Sequence, residues 1–144
     1  MTNKQFTIAV ANWPKDSKAL KQIRREVFIK EQSVPEALEW DGLDESALHL
    51  IATSESGQTI GTARLLSDSH IGRVAVVKRW RGHGVGSTLI REMIYQAELL
   101  GYRELKLAAQ IQALPFYERL GFVAYGDEFM DANIPHLNMR KYIG

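Results

Sequence analysis

The 144-residue chain contains no cysteine. That absence excludes disulfides, thiolate metal centres and cysteine nucleophiles together. Any acyl transfer on this chain must run without a cysteine-linked intermediate. Net charge is nearly absent too: 18 lysines and arginines stand against 17 aspartates and glutamates, a formal charge of +1. So even a balance gives no bulk attraction to nucleic acid or to an anionic membrane. No apolar run approaches the roughly 18 residues of a membrane helix. The opening MTNKQFTIAVANW lacks the apolar core of a secretory signal, and a cytoplasmic protein is the expectation. Repeats, low-complexity tracts and linkers are missing as well, so one domain over residues 1–144 is expected.

What is present alternates between two periods. FTIAVAN (6–12) is a short strand-like run that stops at Trp13-Pro14. From Asp16 the period becomes helical, with Leu20, Ile23, Val27 and Phe28 apolar and Asp16 or Ser17 as the cap. Residues 31–46 are acidic and broken by Pro35 and Gly42, which reads as a loop or a short second helix. LHLIATS, TIGTARLLS and IGRVAVV read as three strands joined by the tight turns SGQ and SDSH. A long helix follows from about Gly84 to Leu100, with Gly101 at its C-terminal cap. ELKLAA is a further strand, ALPFYERLG a short helix, and FVAYGDEFM and IPHLNMRKY two closing strands. The order predicts a mixed α/β (α+β) fold, neither a regular βαβ array nor an all-β barrel.

The densest signal is RGHGVG, residues 81–86, between a valine-rich strand and the long helix. The first N–H groups of a helix lack intrahelical partners and carry the positive end of its dipole. Glycines there let an anion approach the backbone, so the junction suits a phosphate. Arg81 and Ser87 would add donors, and Arg73, Lys78 and Arg79 add positive potential. A P-loop requires a lysine after its last glycine, where this chain has Ser87-Thr88. A dinucleotide fold requires the loop near the start of a parallel array, whereas antiparallel candidates precede it here. Glycines serving only a tight turn are the plain alternative.

The segment VAVVKRWRGHGVGSTLI resembles motif A of the GNAT superfamily of N-acetyltransferases, whose Arg/Gln-x-x-Gly-x-Gly/Ala signature is filled by Arg81, Gly84 and Gly86. AAQIQALPFYERLGF resembles the family's second signature. The two together, about 30 residues apart, are far more specific than either alone. The stretch 27–52 and the terminal ANIPHLNM are most similar to the small bacterial ElaA-like or YjcF-like branch.

The resemblance implies a mostly antiparallel sheet of about 6–7 strands flanked by about four helices. The sheet would be splayed between its fourth and fifth strands. The implied co-substrate is acetyl-CoA, with no metal; no H-x-x-x-H spacing offers one either. By the same resemblance the pyrophosphate would lie on Arg81, Gly82, His83, Gly84, Val85, Gly86 and Ser87. The pantetheine amides would pair with the strand at Val74, Ala75 and Val76 as an added strand does, with Gln110 nearby where many relatives carry asparagine.

The implied reaction is direct transfer of an acetyl group to a primary amine of a small molecule or peptide, in a ternary complex. A backbone N–H near Val74 to Val76 would stabilise the oxyanion. Tyr117, in FYERLGF, is the candidate acid for the departing thiolate, with core packing as its plain alternative. Glu31 is the candidate base, with a water chain as the alternative. Phe28, Glu39, Trp40 and His136 are candidates for the acceptor pocket. The acidic run of residues 31–45 suggests an acidic rim that attracts a cationic amine. Many members of the family are homodimers, and a homodimer is a family expectation here. A non-catalytic acyl-CoA-binding module with the same fold is the competing function.

Overall fold

The computed structural model describes residues 5–144. Its centre is one seven-stranded sheet in the order β1-β2-β3-β4-β5-β7-β6. The strands are β1 (Phe6–Val10), β2 (Leu48–Ser54), β3 (Thr59–Leu65), β4 (His70–Val76), β5 (Glu104–Gln110), β6 (Val123–Asp131) and β7 (Ile134–Tyr142). Four α-helices flank it: α1 (Trp13–Arg24), α2 (Glu36–Glu39), α3 (Val85–Leu99) and α4 (Leu114–Arg119). Every paired strand is antiparallel to its neighbour except β4 and β5, which run parallel.

Helix α1 begins earlier than the periodicity predicts. Its cap is Asn12, whose side chain accepts from the Lys15 amide at 3.2 Å. Asp16 reaches back to the Asn12 amide at 2.9 Å, the reciprocal half of a capping box. Trp13-Pro14 therefore opens the helix rather than ending the strand, because proline's missing N–H costs nothing in the first turn. The helix then widens into a π-helical segment, Arg25–Glu31, which carries Phe28. Such segments are rare and concentrate at functional sites.

Helix α3 buries Val85, Leu89, Ile90, Met93 and Ala97 against the sheet. Its close approach depends on Gly61 of β3: a Cβ there would lie 3.0 Å from Val85 Cγ1 and 3.1 Å from Leu89 Cδ1. That contact sets the position of the helix N-terminus.

The sheet opens at one place. β4 and β5 pair only at His70 with Lys106 and Ile71 with Leu107. Immediately beyond, β4 carries a bulge against β3, where the register passes from Arg64–Gly72 to Thr62–Ala75. Arg73 sits in that bulge at φ +51°, a left-handed conformation uncommon for an arginine. A bulge bends its strand and re-aims its edge. Here it turns β4 away from β5 and leaves a gap between the two strands, where the splay was predicted.

Candidate active site

The gap is the mouth of a cleft of about 440 Å³. Six of the residues expected from sequence line it: Phe28, Glu39, Val74, Gln110, Tyr117 and His136. They come from the π-helical segment, α2, β4, β5, α4 and β7, elements scattered through the chain.

The glycine loop lies at the end of β4. Gly82 and Gly84 both have positive φ, 79° and 83°, and no heavy atom comes nearer than 4.0 Å to the place of an added Cβ. Gly84 caps α3 with no side-chain hydrogen bond. The Ser87 and Thr88 hydroxyls turn back to the Gly84 carbonyl at 3.2 and 2.6 Å. No side chain among the described residues caps the first N–H groups of this fifteen-residue helix. Gly86 is glycine for another reason: a Cβ would lie 3.3 Å from Phe116 Cζ. Ala75 is buried, His83 is exposed beside the Trp80 ring, and Val85 anchors the loop in the core. This is a cradle that fits a diphosphate.

Arg81 is engaged differently from the sequence expectation. Its Nε donates to the Val76 carbonyl at 2.9 Å, and both Nη atoms reach the Glu31 carboxylate, at 2.5 and 2.7 Å. Glu31 is thereby unsuited to the role of base. The Arg81 hydrogen bond and charge hold its pKa below the usual value. It also lies outside the cleft, in a separate depression with Glu26, Lys30, Lys78 and Arg79.

Trp40 is likewise outside the cleft. Its ring lies against the guanidinium groups of Arg24 and Arg25, at 5.2 and 5.5 Å, beside Trp13 and Lys21. Glu39 does reach the cleft wall, but its carboxylate is committed. Oε2 accepts from Arg24 Nε at 2.9 Å and lies 3.0 Å from Arg73 Nε.

These contacts belong to a buried network of three arginines and three carboxylates. Arg24 Nη1 donates to Asp44 at 2.7 Å. Arg64 donates to both oxygens of Asp41, at 2.9 and 2.8 Å, and to Asp44 at 3.1 Å. Arg73 Nη2 donates to the Glu39 carbonyl at 3.0 Å and to Asp41 at 3.2 Å. The charges cancel within the group. Glu36 pairs with Arg25 and Glu31 with Arg81, so the acidic run is not an open acidic rim. Its carboxylates fasten the loop to the sheet.

Tyr117 is partly buried, its ring edge-on to Phe116 and Phe122. Burial pushes its pKa up to about 12. The phenol therefore keeps its proton at neutral pH and can serve as a donor but not as a base. Gln110 donates to Gln32 Oε1 at 2.9 Å, linking β5 to the residue after the π-helical segment. His136 stands opposite Gln110 in the β5–β7 register.

Sequence reasoning missed Gln32 and Arg64, which line the cleft, and expected Arg73 only as positive potential beside the glycine loop, whereas it too lines the cleft. Arg64 left one trace, as a charged residue inside the apolar run TIGTARLLS.

Comparison with known proteins agrees with this geometry. Residues 11–143 match the family model described as Acetyltransferase (GNAT) domain. The chain is 37% identical over 128 residues to the uncharacterized protein YyaT of Bacillus subtilis, covering 85% of this chain and 86% of that one. It is 36% identical over 123 residues to the uncharacterized N-acetyltransferase YjcF of the same organism, covering 83% and 87%. Among solved structures it resembles an acyl-CoA N-acyltransferase from Pseudomonas aeruginosa, with a TM-score of 0.82 at 34% identity, covering 96% of this chain and 99% of that one. Escherichia coli ElaA superposes with a TM-score of 0.81 at 25% identity, covering 96% and 99%. A glycine-rich, uncapped helix N-terminus, a sheet parted between β4 and β5, and these relatives lead to one conclusion: the chain belongs to the GNAT family of N-acetyltransferases, whose co-substrate is an acyl-CoA, within its ElaA/YjcF-like branch.

Proposed function

We propose that this protein is a single N-acetyltransferase domain over residues 1–144 that moves an acetyl group from acetyl-CoA to a primary amine of a small molecule or peptide. Transfer is direct, within a ternary complex; with no cysteine in the chain, a cysteine-linked acyl-enzyme is excluded. The observation that carries this reading is the continuity of three features. The N-terminus of α3 has no side-chain cap and suits the diphosphate, β4 beyond Ile71 is unpaired by β5 and suits the pantetheine amides, and that edge leads into the cleft holding Tyr117.

Each residue has a physical task. The N–H groups at the start of α3 bind the diphosphate, aided by the helix dipole. The edge of β4 at Val74 to Val76 aligns the pantetheine arm and offers an N–H to the oxyanion that forms as the amine attacks. Tyr117 donates a hydrogen bond to the departing sulfur. A phenol at about 12 holds its proton more tightly than a thiolate, whose reference value is about 8.5. Complete transfer to the sulfur is therefore uphill, and Tyr117 acts while charge develops, with solvent supplying the final proton.

Calorimetric titration with acetyl-CoA, with ATP and NAD as controls, tests the donor. A panel of primary amines followed by thiol release tests the reaction. Binding of acetyl-CoA alone, with release of thiol on at least one amine, is the expected result. No binding of acetyl-CoA overturns the donor assignment. Binding without thiol release on any amine favours a non-catalytic acyl-CoA-binding module.

A further inference from the structure

The transfer requires a group that takes a proton from the acceptor, because an ammonium ion has no lone pair. Glu31 cannot do so while Arg81 holds both of its oxygens. Within the cleft, the ionisable residues are Glu39, Arg64, His70, Arg73, Tyr117 and Asp131, besides His136. Glu39 is tied to Arg24 and Arg73. His70 is paired with Asp68 at 3.1 Å. Asp131 is exposed at the turn between β6 and β7, a place suited to attracting an ammonium group.

We propose that His136 is the general base, taking the proton of the acceptor amine at Nε2. The inference rests on the reading of this cleft as an amine acetyltransferase site. Its geometry differs from that of every other ionisable group in the cleft. His136 Nδ1 lies 2.7 Å from the Ile134 carbonyl oxygen. A carbonyl only accepts, so Nδ1 carries the hydrogen, and in the neutral ring the lone pair is on Nε2. Among the described residues Nε2 has no hydrogen-bond partner. The ring is held by stacking on Phe129, with centroids 5.9 Å apart and planes 25° apart. Only 8% of the residue is exposed, and it lines the cleft together with Tyr117. An imidazole with one nitrogen anchored and the other free is pre-oriented to accept a proton.

The acceptor ammonium first gives one proton to His136 Nε2, which leaves its nitrogen a lone pair. That nitrogen bonds to the acetyl carbon, and the C–S bond breaks with its electron pair on sulfur. The nitrogen, now positively charged, loses its second proton to water, and the sulfur gains one. Imidazolium returns its proton to solvent, so one proton is released for each ammonium acetylated.

The test compares the wild type with His136→Gln and His136→Ala on two acceptors, benzylamine and aniline, by thiol release. Benzylamine is cationic at neutral pH and needs a base; aniline is already neutral. Acetyl-CoA affinity, read by calorimetry, confirms that each variant is folded. The expected result is a loss of about 100-fold in kcat on benzylamine, a much smaller loss on aniline, and partial recovery of His136→Ala by added imidazole. The loss on benzylamine should also shrink at alkaline pH, where the free amine is already neutral. Equal losses on both amines with no imidazole rescue, or no loss in the variants, overturn the role of His136 while leaving the transferase reading intact. A wild type that binds acetyl-CoA but acetylates neither these amines nor any of the panel overturns that reading, and His136 as base with it. If both variants fail to bind acetyl-CoA, His136→Asn and the wild-type profile on the two amines decide: a profile identical for benzylamine and aniline sinks the proposal.

Discussion

Arg73 and Glu39 hold each other at the wall of the cleft: Arg73 Nε lies 3.0 Å from Glu39 Oε2, and Arg73 Nη2 donates to the Glu39 carbonyl at 3.0 Å. Arg73 is also the residue whose left-handed backbone makes the bulge that parts β4 from β5. One pair thus ties the acidic loop to the strand distortion that opens the site. Removing one partner of a buried ion pair leaves a charge without compensation. Glu39→Ala should therefore cost about 3–5 kcal/mol of stability, and the remaining folded protein should bind acetyl-CoA more weakly. Urea melts and calorimetry would check both; a loss of less than 1 kcal/mol would mean that the network contributes little.

The same network predicts how stability responds to acid. Burial raises the pKa of Asp41, but hydrogen bonds from Arg64 and the Leu43 amide, with the charges of Arg64 and Arg73, outweigh it and bring the value to about 2. Asp44 is lowered too, as Arg24 and Arg64 overcome its burial. Both folded values lie below those of the unfolded chain, so the unfolded state binds more protons as the pH drops. The contribution is full above about pH 4, where an unfolded aspartate is ionised, and is lost as the pH falls toward 2. Asp41 is itself exposed, so after screening by solvent it should supply only about 1 kcal/mol. Urea midpoints measured between pH 6 and pH 2 should fall steeply in that window, and Asp41→Asn should flatten the slope.

Glu31 occupies both Nη atoms of Arg81. The ion pair is exposed, with about two fifths of each side chain open to solvent. Such pairs contribute 0–1 kcal/mol to folding. Glu31→Gln should leave the melting temperature nearly unchanged and tighten acetyl-CoA several-fold, because Arg81 becomes free to meet the diphosphate. Weaker binding in the variant would show instead that Glu31 orders the cradle.

Tyr117→Phe removes the hydroxyl and keeps the ring that packs on Phe116 and Phe122. Turnover should fall about 100-fold with acetyl-CoA affinity nearly intact. Unchanged turnover would remove Tyr117 from the chemistry and leave it a packing residue.

By itself the sequence determined most of the elements and the glycine-rich strand-to-helix junction. RGHGVG between a valine-rich strand and a helix is a local pattern, since backbone freedom, orphan N–H groups and the helix dipole all arise from neighbouring residues. Tyr117 and Gln110 were legible for a similar reason, lying in one contiguous signature. Only the tertiary structure decided the rest. Glu31 meets Arg81 across fifty positions, and Arg64 meets Asp41 across twenty-three, and no periodicity records such a pairing. The acidic run reads as an open rim along the chain because the arginines that neutralise it, Arg24, Arg64 and Arg73, lie on other elements. The free nitrogen of His136 is equally a tertiary fact. It depends on which ring nitrogen a backbone carbonyl captures, and on a cleft wall assembled from segments that meet only in the folded sheet.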